Sequence, residues 1–146
     1  MGNGALIRNM TPSDIPIVHQ IWTAVGFDLT KSDEISEVTR MLAHNPEFCL
    51  ILELPLPSEK HIIGTVLGGF DGRRGWVHHL AILPEYGGKG YGKQLMTHLM
   101  QAFTQHGVVK FKLEIAGDKP RLIHFYQQLG WDLRSDLTTM SFMVEQ

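Results

Sequence analysis

The stretch from Ile82 to Met96 constrains the fold of this chain more than any other. An apolar run over residues 77–83 ends at Pro84, and four glycines follow at positions 87, 88, 90 and 92. Apolar residues then recur at helical spacing, which predicts a strand that leads through a glycine-rich turn into a helix. Such a turn presents backbone N–H groups at the positive end of a helix dipole, where phosphate and pyrophosphate groups bind.

Two well-known glycine-rich nucleotide loops are absent from this sequence. The chain has no Gly-x-x-x-x-Gly-Lys-Ser/Thr, which excludes the phosphate loop of the P-loop NTPases. The spacing Gly88-x-Gly90-x-Gly92 also differs from the Gly-x-Gly-x-x-Gly of dinucleotide-binding folds. From spacing alone, a plain strand–helix loop without a ligand stays open as the alternative interpretation.

Length and composition narrow the class of protein. A chain of 146 residues with 43% hydrophobic and 19% charged residues is expected to fold as one domain over residues 1–146. A net charge of -2 argues against a nucleic-acid partner, since nucleic-acid binders usually carry a basic surplus. Neither a transmembrane-length apolar run nor a signal-peptide pattern is present, so we expect a cytoplasmic protein without a membrane partner. With Cys49 as the single cysteine, no intrachain disulfide is possible.

Periodicity and turn residues predict seven strands and four helices in the order βααβββαβαββ. The strands are predicted at residues 5–9, 48–53, 62–70, 76–83, 108–115, 131–134 and 138–144. The first helix is predicted to begin at Pro12 and to end at Gly26. The other three helices are predicted at residues 35–42, 89–106 and 120–130. The first helix begins with the capping pattern Thr11-Pro-Ser-Asp14. This order of elements predicts an α+β domain around a mixed sheet.

Two blocks of the sequence resemble the GCN5-related N-acetyltransferase (GNAT) superfamily. The first block, Leu80-Ala-Ile-Leu-Pro-Glu-Tyr-Gly-Gly-Lys-Gly-Tyr-Gly92, is similar to the acetyl-CoA motif Arg/Gln-x-x-Gly-x-Gly/Ala of that family. The second block, Phe125-Tyr-Gln-Gln-Leu-Gly-Trp131, resembles its C-terminal Phe-Tyr-x-x-Leu-Gly-Phe. The resemblance covers essentially the whole chain. It implies the GNAT fold, with a mostly antiparallel sheet of about seven strands flanked by four helices.

The resemblance also implies an N-acetyltransferase that uses acetyl-CoA as co-substrate and needs no metal. Backbone N–H groups of the loop would hold the pyrophosphate, and one N–H of the fourth strand, near Ala81 or Ile82, would polarise the thioester carbonyl. Lysine side chains beside the loop would add charge at the phosphates. The implied cofactor-binding residues are Leu80, Ala81, Ile82, Gly87, Gly88, Lys89, Gly90, Tyr91, Gly92, Lys93, Lys119 and Phe125.

Two positions depart from the family pattern. Gly87 stands where arginine or glutamine is usual, and Lys119 stands where an asparagine is common, six residues before Phe125. The first departure removes a side chain that contributes to cofactor affinity. Together they lend weight to the alternative to an enzyme, a non-catalytic acyl-CoA-binding sensor or interaction module on a GNAT fold, whereas Tyr126 and Glu114 argue against that alternative and for an enzyme.

The chemistry of acetyl transfer requires a general base for the amine and a general acid for the leaving thiolate. Tyr126 lies at the position of the tyrosine in the Phe-Tyr block, and this position implies that it is the acid. Glu114 resembles the base of the protein N-terminal-alanine acetyltransferases, which have Leu-Glu-Val where this chain has Leu113-Glu-Ile115. His78 is the rival, because it lies two residues before Leu80, where arylalkylamine acetyltransferases have a catalytic histidine. A water chain is the third possibility.

Strand alternation predicts that His78 and His79 point to opposite faces of the sheet, so that at most one of them faces the cleft. The acceptor is expected to be a primary amine, of a small molecule or of a protein, which attacks acetyl-CoA directly in a ternary complex. GNAT folds often dimerise, and the final strands would supply an exposed edge, so we expect a homodimer. The sequence does not identify the acceptor.

Overall fold

The computed structural model of the chain describes residues 4–55 and 60–144. The chain divides into two compact units, residues 1–114 and residues 115–146. The expectation of one domain over residues 1–146 stays a prediction. No helix in the described ranges is long and apolar enough to cross a membrane.

The first unit contains a sheet whose five strands follow one another in chain order. The strands are β1 (Leu6–Asn9), β2 (Leu50–Pro55), β3 (Lys60–Phe70), β4 (Gly75–Ile82) and β5 (Phe111–Leu113). The pairs from β1 to β4 are antiparallel, and β4 pairs with β5 in parallel. The sheet is therefore mixed and mostly antiparallel, as the resemblance implied.

The described part of the chain contains four helices, which confirms the predicted number. They are α1 (Ile15–Ala24), α2 (Ile35–His44), α3 (Tyr91–Gln105) and, in the second unit, α4 (Pro120–Gln128). The predicted capping pattern is present before α1, where the backbone N–H of Thr11 donates to Asp14 Oδ2 over 2.7 Å. Short 3-10 turns lie at Pro12–Asp14, Lys31–Asp33 and Pro84–Tyr86.

The predicted number of seven strands is wrong, because the described residues contain five and residues 131–144 contain none. A strand requires a paired neighbour, and no second strand lies in residues 115–144 to provide one. β5 is also shorter than the predicted 108–115, since the N–H of Val108 still bonds the carbonyl of Phe103 at the end of α3. The homodimer was expected from an edge of the final strands, and it stays a prediction.

Alternation along the strands separates two apolar faces of the sheet. One face packs against α1 and α2, and its core contains Trp22, Leu67 and Ala81 together with Ile15, Val18, Ile21, Val38, Leu42 and Ile51. The next residue after Leu67, Gly68, lies against Leu99 of α3, so α3 covers the opposite face. The connection from the end of β4 into α3 therefore leads to the face opposite α1 and α2.

Gly68→Ala is expected to destabilise the first unit by about 1–3 kcal/mol through overpacking. The added Cβ would lie 2.7 Å from the carbonyl oxygen of Phe48 and 2.8 Å from Leu99 Cδ1. Gly69→Ala is the matched control, because its Cβ would first meet the flexible end of Met41, at 3.3 Å. Urea denaturation of both variants checks this expectation, and equal losses would contradict the close approach at Gly68.

Candidate functional site

The glycine-rich loop connects β4 to α3 and contains two residues in the left-handed region. Gly88 has φ 74° and Gly90 has φ 88°, conformations that residues with a Cβ rarely adopt. Gly90 is the N-cap of α3, and a Cβ at either glycine would meet no atom within 4 Å. The loop therefore leaves open space in front of its own backbone.

Backbone N–H groups lie at the start of α3. The first hydrogen bond of the helix runs from the N–H of Gln94 to the carbonyl of Gly90, over 3.0 Å. The N–H groups of residues 91–93 therefore precede the first intrahelical bond. Lys89 and Lys93 are exposed next to them, whereas the N–H of Gly87 is already bonded to the carbonyl of Pro84. Residues 88–93 thus form a positive helix start suited to a diphosphate.

The strand that leads into this loop loses one of its neighbours halfway along. β4 pairs with β5 only from Gly75 to Val77, and then continues to Ile82 without a described partner on that side. On the other side, the N–H of Leu83 donates to the carbonyl of Ile63 in β3, over 2.8 Å. Because N–H directions alternate along a strand, the N–H of Ile82 points to the side that β5 has left. Of the two predicted carbonyl-polarising amides, the geometry favours Ile82 over Ala81.

A β-bulge interrupts β4 just where it parts from β5. The register moves from Leu67↔His78 to Thr65↔Ala81, so β4 has one residue more than β3 in this interval. His79 lies in the bulge with φ 52°, and it is the one non-glycine residue with positive φ in the described ranges. Its Nε2 is 2.7 Å from Asp33 Oδ1.

The prediction that His78 and His79 face opposite sides is wrong because of this bulge. The ring of His79 packs edge-on against Trp22 and stacks on Phe27, both on the side of α1. His78 pairs with Leu67, whose side chain belongs to the core on that same side. Cross-strand partners share a face, so both histidines lie on the α1 side of the sheet.

The charges around these histidines shift two pKa values. His78 is exposed, yet desolvation by the atoms packed around its ring lowers its pKa below the usual value, as does the neighbouring His79, while Glu114 and Asp33 act in the opposite direction. Burial tends to raise the pKa of Asp33, but the hydrogen bonds from Thr30 and His79 lower it below its usual value. At neutral pH, therefore, Asp33 is a carboxylate and the neutral imidazole of His78 is favoured.

Glu114 lies one residue beyond the end of β5 and is exposed. It is therefore outside the strand in which it was predicted, because β5 ends at Leu113. Its charge nevertheless acts on His78, whose pKa it raises. The first unit thus contains both candidate bases, the β4 edge and the glycine loop.

The other predicted residues lie in the second unit. Tyr126 is buried on α4 against Phe125 and Trp131, and burial raises its pKa to about 12. Its hydroxyl is therefore protonated at any physiological pH. Lys119 is the N-cap residue of α4, and its Nζ donates to the carbonyl of Ala116 over 2.9 Å.

An open concavity of about 490 Å³ lies beside α1 in the first unit. Its lining mixes acidic, basic and apolar side chains, namely His19, Leu29, Thr30, Lys31, Asp33 and Glu34. A second groove of about 370 Å³ follows the exposed side of α3 from Lys93 to Gln101. In the described ranges, no group of three or more His, Cys, Asp or Glu side chains is placed to hold a metal ion.

Sequence reasoning missed Asp33 and the role of its partner His79. One signal was present, because Thr30-Lys-Ser-Asp33 has the same spacing as the capping pattern Thr11-Pro-Ser-Asp14. In the structure the N–H of Thr30 donates to Asp33 Oδ2 over 2.9 Å. The sequence predicted no helix or strand between Gly26 and residue 35, and this second capping pattern indicates the short turn that lies there.

Comparison with known proteins gives consistent matches. A family model described as the acetyltransferase (GNAT) family matches residues 17–131. An acetyltransferase of Sodalis glossinidius is 26% identical over 131 residues, which cover 90% of this chain and 89% of the relative.

Solved structures resemble the fold over a similar length. Ard1 from Thermoplasma volcanium has a TM-score of 0.79 at 17% identity and covers 90% of this chain and 85% of its own. The PaiA N-acetyltransferase of Thermoplasma acidophilum, solved in complex with coenzyme A, has a TM-score of 0.74 at 16% identity and covers 92% of each chain. At these identities, the likeness is one of fold.

Proposed function

The chain belongs to the acetyltransferase (GNAT) family, and from this membership we propose that it transfers the acetyl group of acetyl-CoA to a primary amine. One observation carries the proposal. The continuous segment of residues 78–93 combines a strand edge that has no partner among the described residues with a helix start suited to a diphosphate. An acyl-CoA needs both, because its pyrophosphate requires N–H donors and its amide-containing arm requires a backbone edge to pair with.

Acetyl-CoA would bind as co-substrate along this segment. The N–H groups of residues 88–93 would hold the pyrophosphate, and Lys89 and Lys93 would add charge where Gly87 lacks the usual side chain. Further along, the N–H of Ile82 would donate to the thioester carbonyl oxygen. A hydrogen-bond donor placed there stabilises the transition state more than the ground state, because negative charge develops on that oxygen as the reaction proceeds. The structure of PaiA in complex with coenzyme A supports the choice of cofactor.

The transfer itself requires two proton movements. The amine nitrogen attacks the carbonyl carbon, the C–S bond breaks, and the amine loses a proton while the thiolate gains one. His78 and Glu114 are the proposed bases, because both belong to the unit that contains the β4 edge. Tyr126 is the proposed acid, since a phenol with a pKa of about 12 is protonated and able to donate.

Acetyl-CoA is expected to raise the melting temperature of the wild-type protein by mass action, and Gly90→Asp is expected to abolish this shift. The substitution adds bulk and negative charge at the N-cap of α3, where the pyrophosphate would lie. Gly107→Asp is the matched control, because Gly107 also has positive φ and open space but lies at the far end of α3. Equal shifts in all three proteins, measured by thermal denaturation, would contradict the site.

The pH profile of kcat/KM separates the two bases. If His78 is the base, kcat/KM of the wild type falls as the pH drops through the pKa of His78, which lies below that of an ordinary imidazole, because the imidazole must be neutral. His78→Gln then lowers the rate near neutral pH by about 10²-fold, with recovery at high pH, where free amine forms unaided. Glu114→Gln is the paired variant and shows this behaviour if Glu114 is the base. If neither variant changes the profile, both assignments are wrong and a water chain removes the proton.

Tyr126→Phe is expected to lower kcat by about 10²-fold or more, because the change deletes the proton donor and keeps the shape of the side chain. The acetyl-CoA thermal shift is expected to stay at the wild-type value, which serves as the internal control for folding and cofactor binding. Steady-state kinetics with a turned-over amine provide the measurement. Wild-type turnover in this variant would remove the acid role.

A further inference from the structure

The backbone of His79 is held in a conformation that a histidine seldom adopts. Its φ of 52° places it in the left-handed region, where contacts of Cβ with the backbone disfavour every residue except glycine. Residues held there persist only when the surrounding structure enforces the conformation, and they cluster at functional sites. The contacts that enforce it here are made by the side chain and the carbonyl group of His79.

The side-chain contact is a hydrogen bond to a well-anchored carboxylate. His79 Nε2–H donates to Asp33 Oδ1 over 2.7 Å, and Asp33 also accepts from the N–H of Thr30 over 2.9 Å. The turn that presents Asp33 is fixed in addition by α1, because His19 Nε2–H donates to the carbonyl of Asp33 over 2.6 Å. The Asp33 side chain is only 10% exposed, so water screens this tie little.

The remaining contacts reach the ring and the carbonyl group of His79. Trp22 and Phe27 hold the ring, with centroids 4.7 and 4.9 Å away. Trp22 Nε1–H donates to Thr65 Oγ1 over 2.9 Å, and Thr65 Oγ1–H in turn donates to the carbonyl of His79 over 3.5 Å. Helix α1, the turn before α2 and strand β3 therefore all converge on this one residue of β4.

We propose that His79 is a positioning residue, which Asp33 holds in the left-handed conformation so that the β4 edge beyond the bulge points its N–H groups at the thioester carbonyl. A one-residue change in register reverses the side to which each backbone N–H and C=O group of a strand points. The bulge therefore determines which backbone groups of residues 80–82 face the side that β5 has left. His79 would act on the reaction through the backbone of Ile82, not through its own imidazole. The inference rests on the proposed function, because it concerns the same acetyl-CoA site.

The deciding experiment compares His79→Ala with His79→Gly. Both variants lack the imidazole and its bond to Asp33, but only glycine adopts a positive φ without strain. His79→Ala is expected to lower kcat by about tenfold or more, because the backbone N–H of Ile82 would no longer point at the thioester carbonyl and would stabilise the transition state less. His79→Gly is expected to retain more of kcat, and it is also expected to melt at a higher temperature than His79→Ala. KM for acetyl-CoA is expected to stay within about threefold in both, because the phosphate-binding loop is unchanged.

Trp76 supplies the matched control for the two substitutions. It lies on β4 with ordinary backbone angles, in the part of the strand that β5 still pairs. Glycine within a regular strand is more costly than alanine, so Trp76→Gly is expected to melt below Trp76→Ala. The alanine variant is therefore expected to have the higher melting temperature at position 76, and the glycine variant the higher melting temperature at position 79.

A second pair of variants tests the part played by Asp33. Asp33→Asn keeps one of the two oxygens that accept hydrogen bonds from His79 and Thr30, so it is expected to lower kcat less than Asp33→Ala, which is expected to lower kcat as His79→Ala does. If Asp33 acts through His79, Asp33→Ala has little further effect on kcat when combined with His79→Gly. Additive losses in the double variant would overturn this link.

Three results would overturn the proposal. Equal loss of kcat in His79→Ala and His79→Gly would show that the imidazole itself is needed, as a base would be. Wild-type kcat in both variants would show that the bulge has no part in the reaction. A melting order with alanine above glycine would show that the left-handed conformation is not maintained in solution. Failure of the proposed function is distinguishable, because the wild-type protein would then transfer no acetyl group, whatever the melting order of the variants.

Discussion

The early separation of β4 from β5 is the constraint on which the rest of this structure depends. Only three residue pairs join the two strands, and β4 then runs on to Ile82 with β3 as its single described neighbour. A strand that has no described partner along part of one edge depends there on its other neighbour for its backbone pairing. The glycines of β3 allow close contacts with this neighbour, and the turn before α2 also holds β4, through the hydrogen bond between Asp33 and His79.

Holding β4 from the side of β3 requires that neighbouring side chains approach β3 closely and that β4 keeps a defined register against β3. Gly64 and Gly68 allow side chains of β4, β2 and α3 to come near β3, since a Cβ at either would meet atoms at 2.6 to 2.7 Å. The bulge at His79 then sets the direction of the final residues of β4, which lead directly into the loop at Gly88. One continuous segment of backbone thus provides both the N–H groups suited to a thioester carbonyl, at the β4 edge, and the N–H groups suited to a diphosphate, at the start of α3.

The sequence predicted this segment well because its signals are local. Glycine spacing and helical periodicity around Gly90 are properties of neighbouring residues, and so is the capping pattern before Asp14. The bulge was not predictable, because it arises from the register of β4 against β3, and a regular alternation rule placed His78 and His79 on opposite faces. The final two predicted strands failed for a similar reason, since strand pairing depends on a distant partner.

The most direct test of the central claim is a measurement of coenzyme A release in the presence of acetyl-CoA and a panel of primary amines. We expect one class of amine to accelerate thiol release well above the rate of hydrolysis without acceptor. We also expect that amine to gain one acetyl group for each thiol released, as mass spectrometry would show. Saturable binding of acetyl-CoA with no amine-dependent release across small-molecule, peptide and protein amines would contradict the claim and would favour a non-catalytic acyl-CoA-binding module.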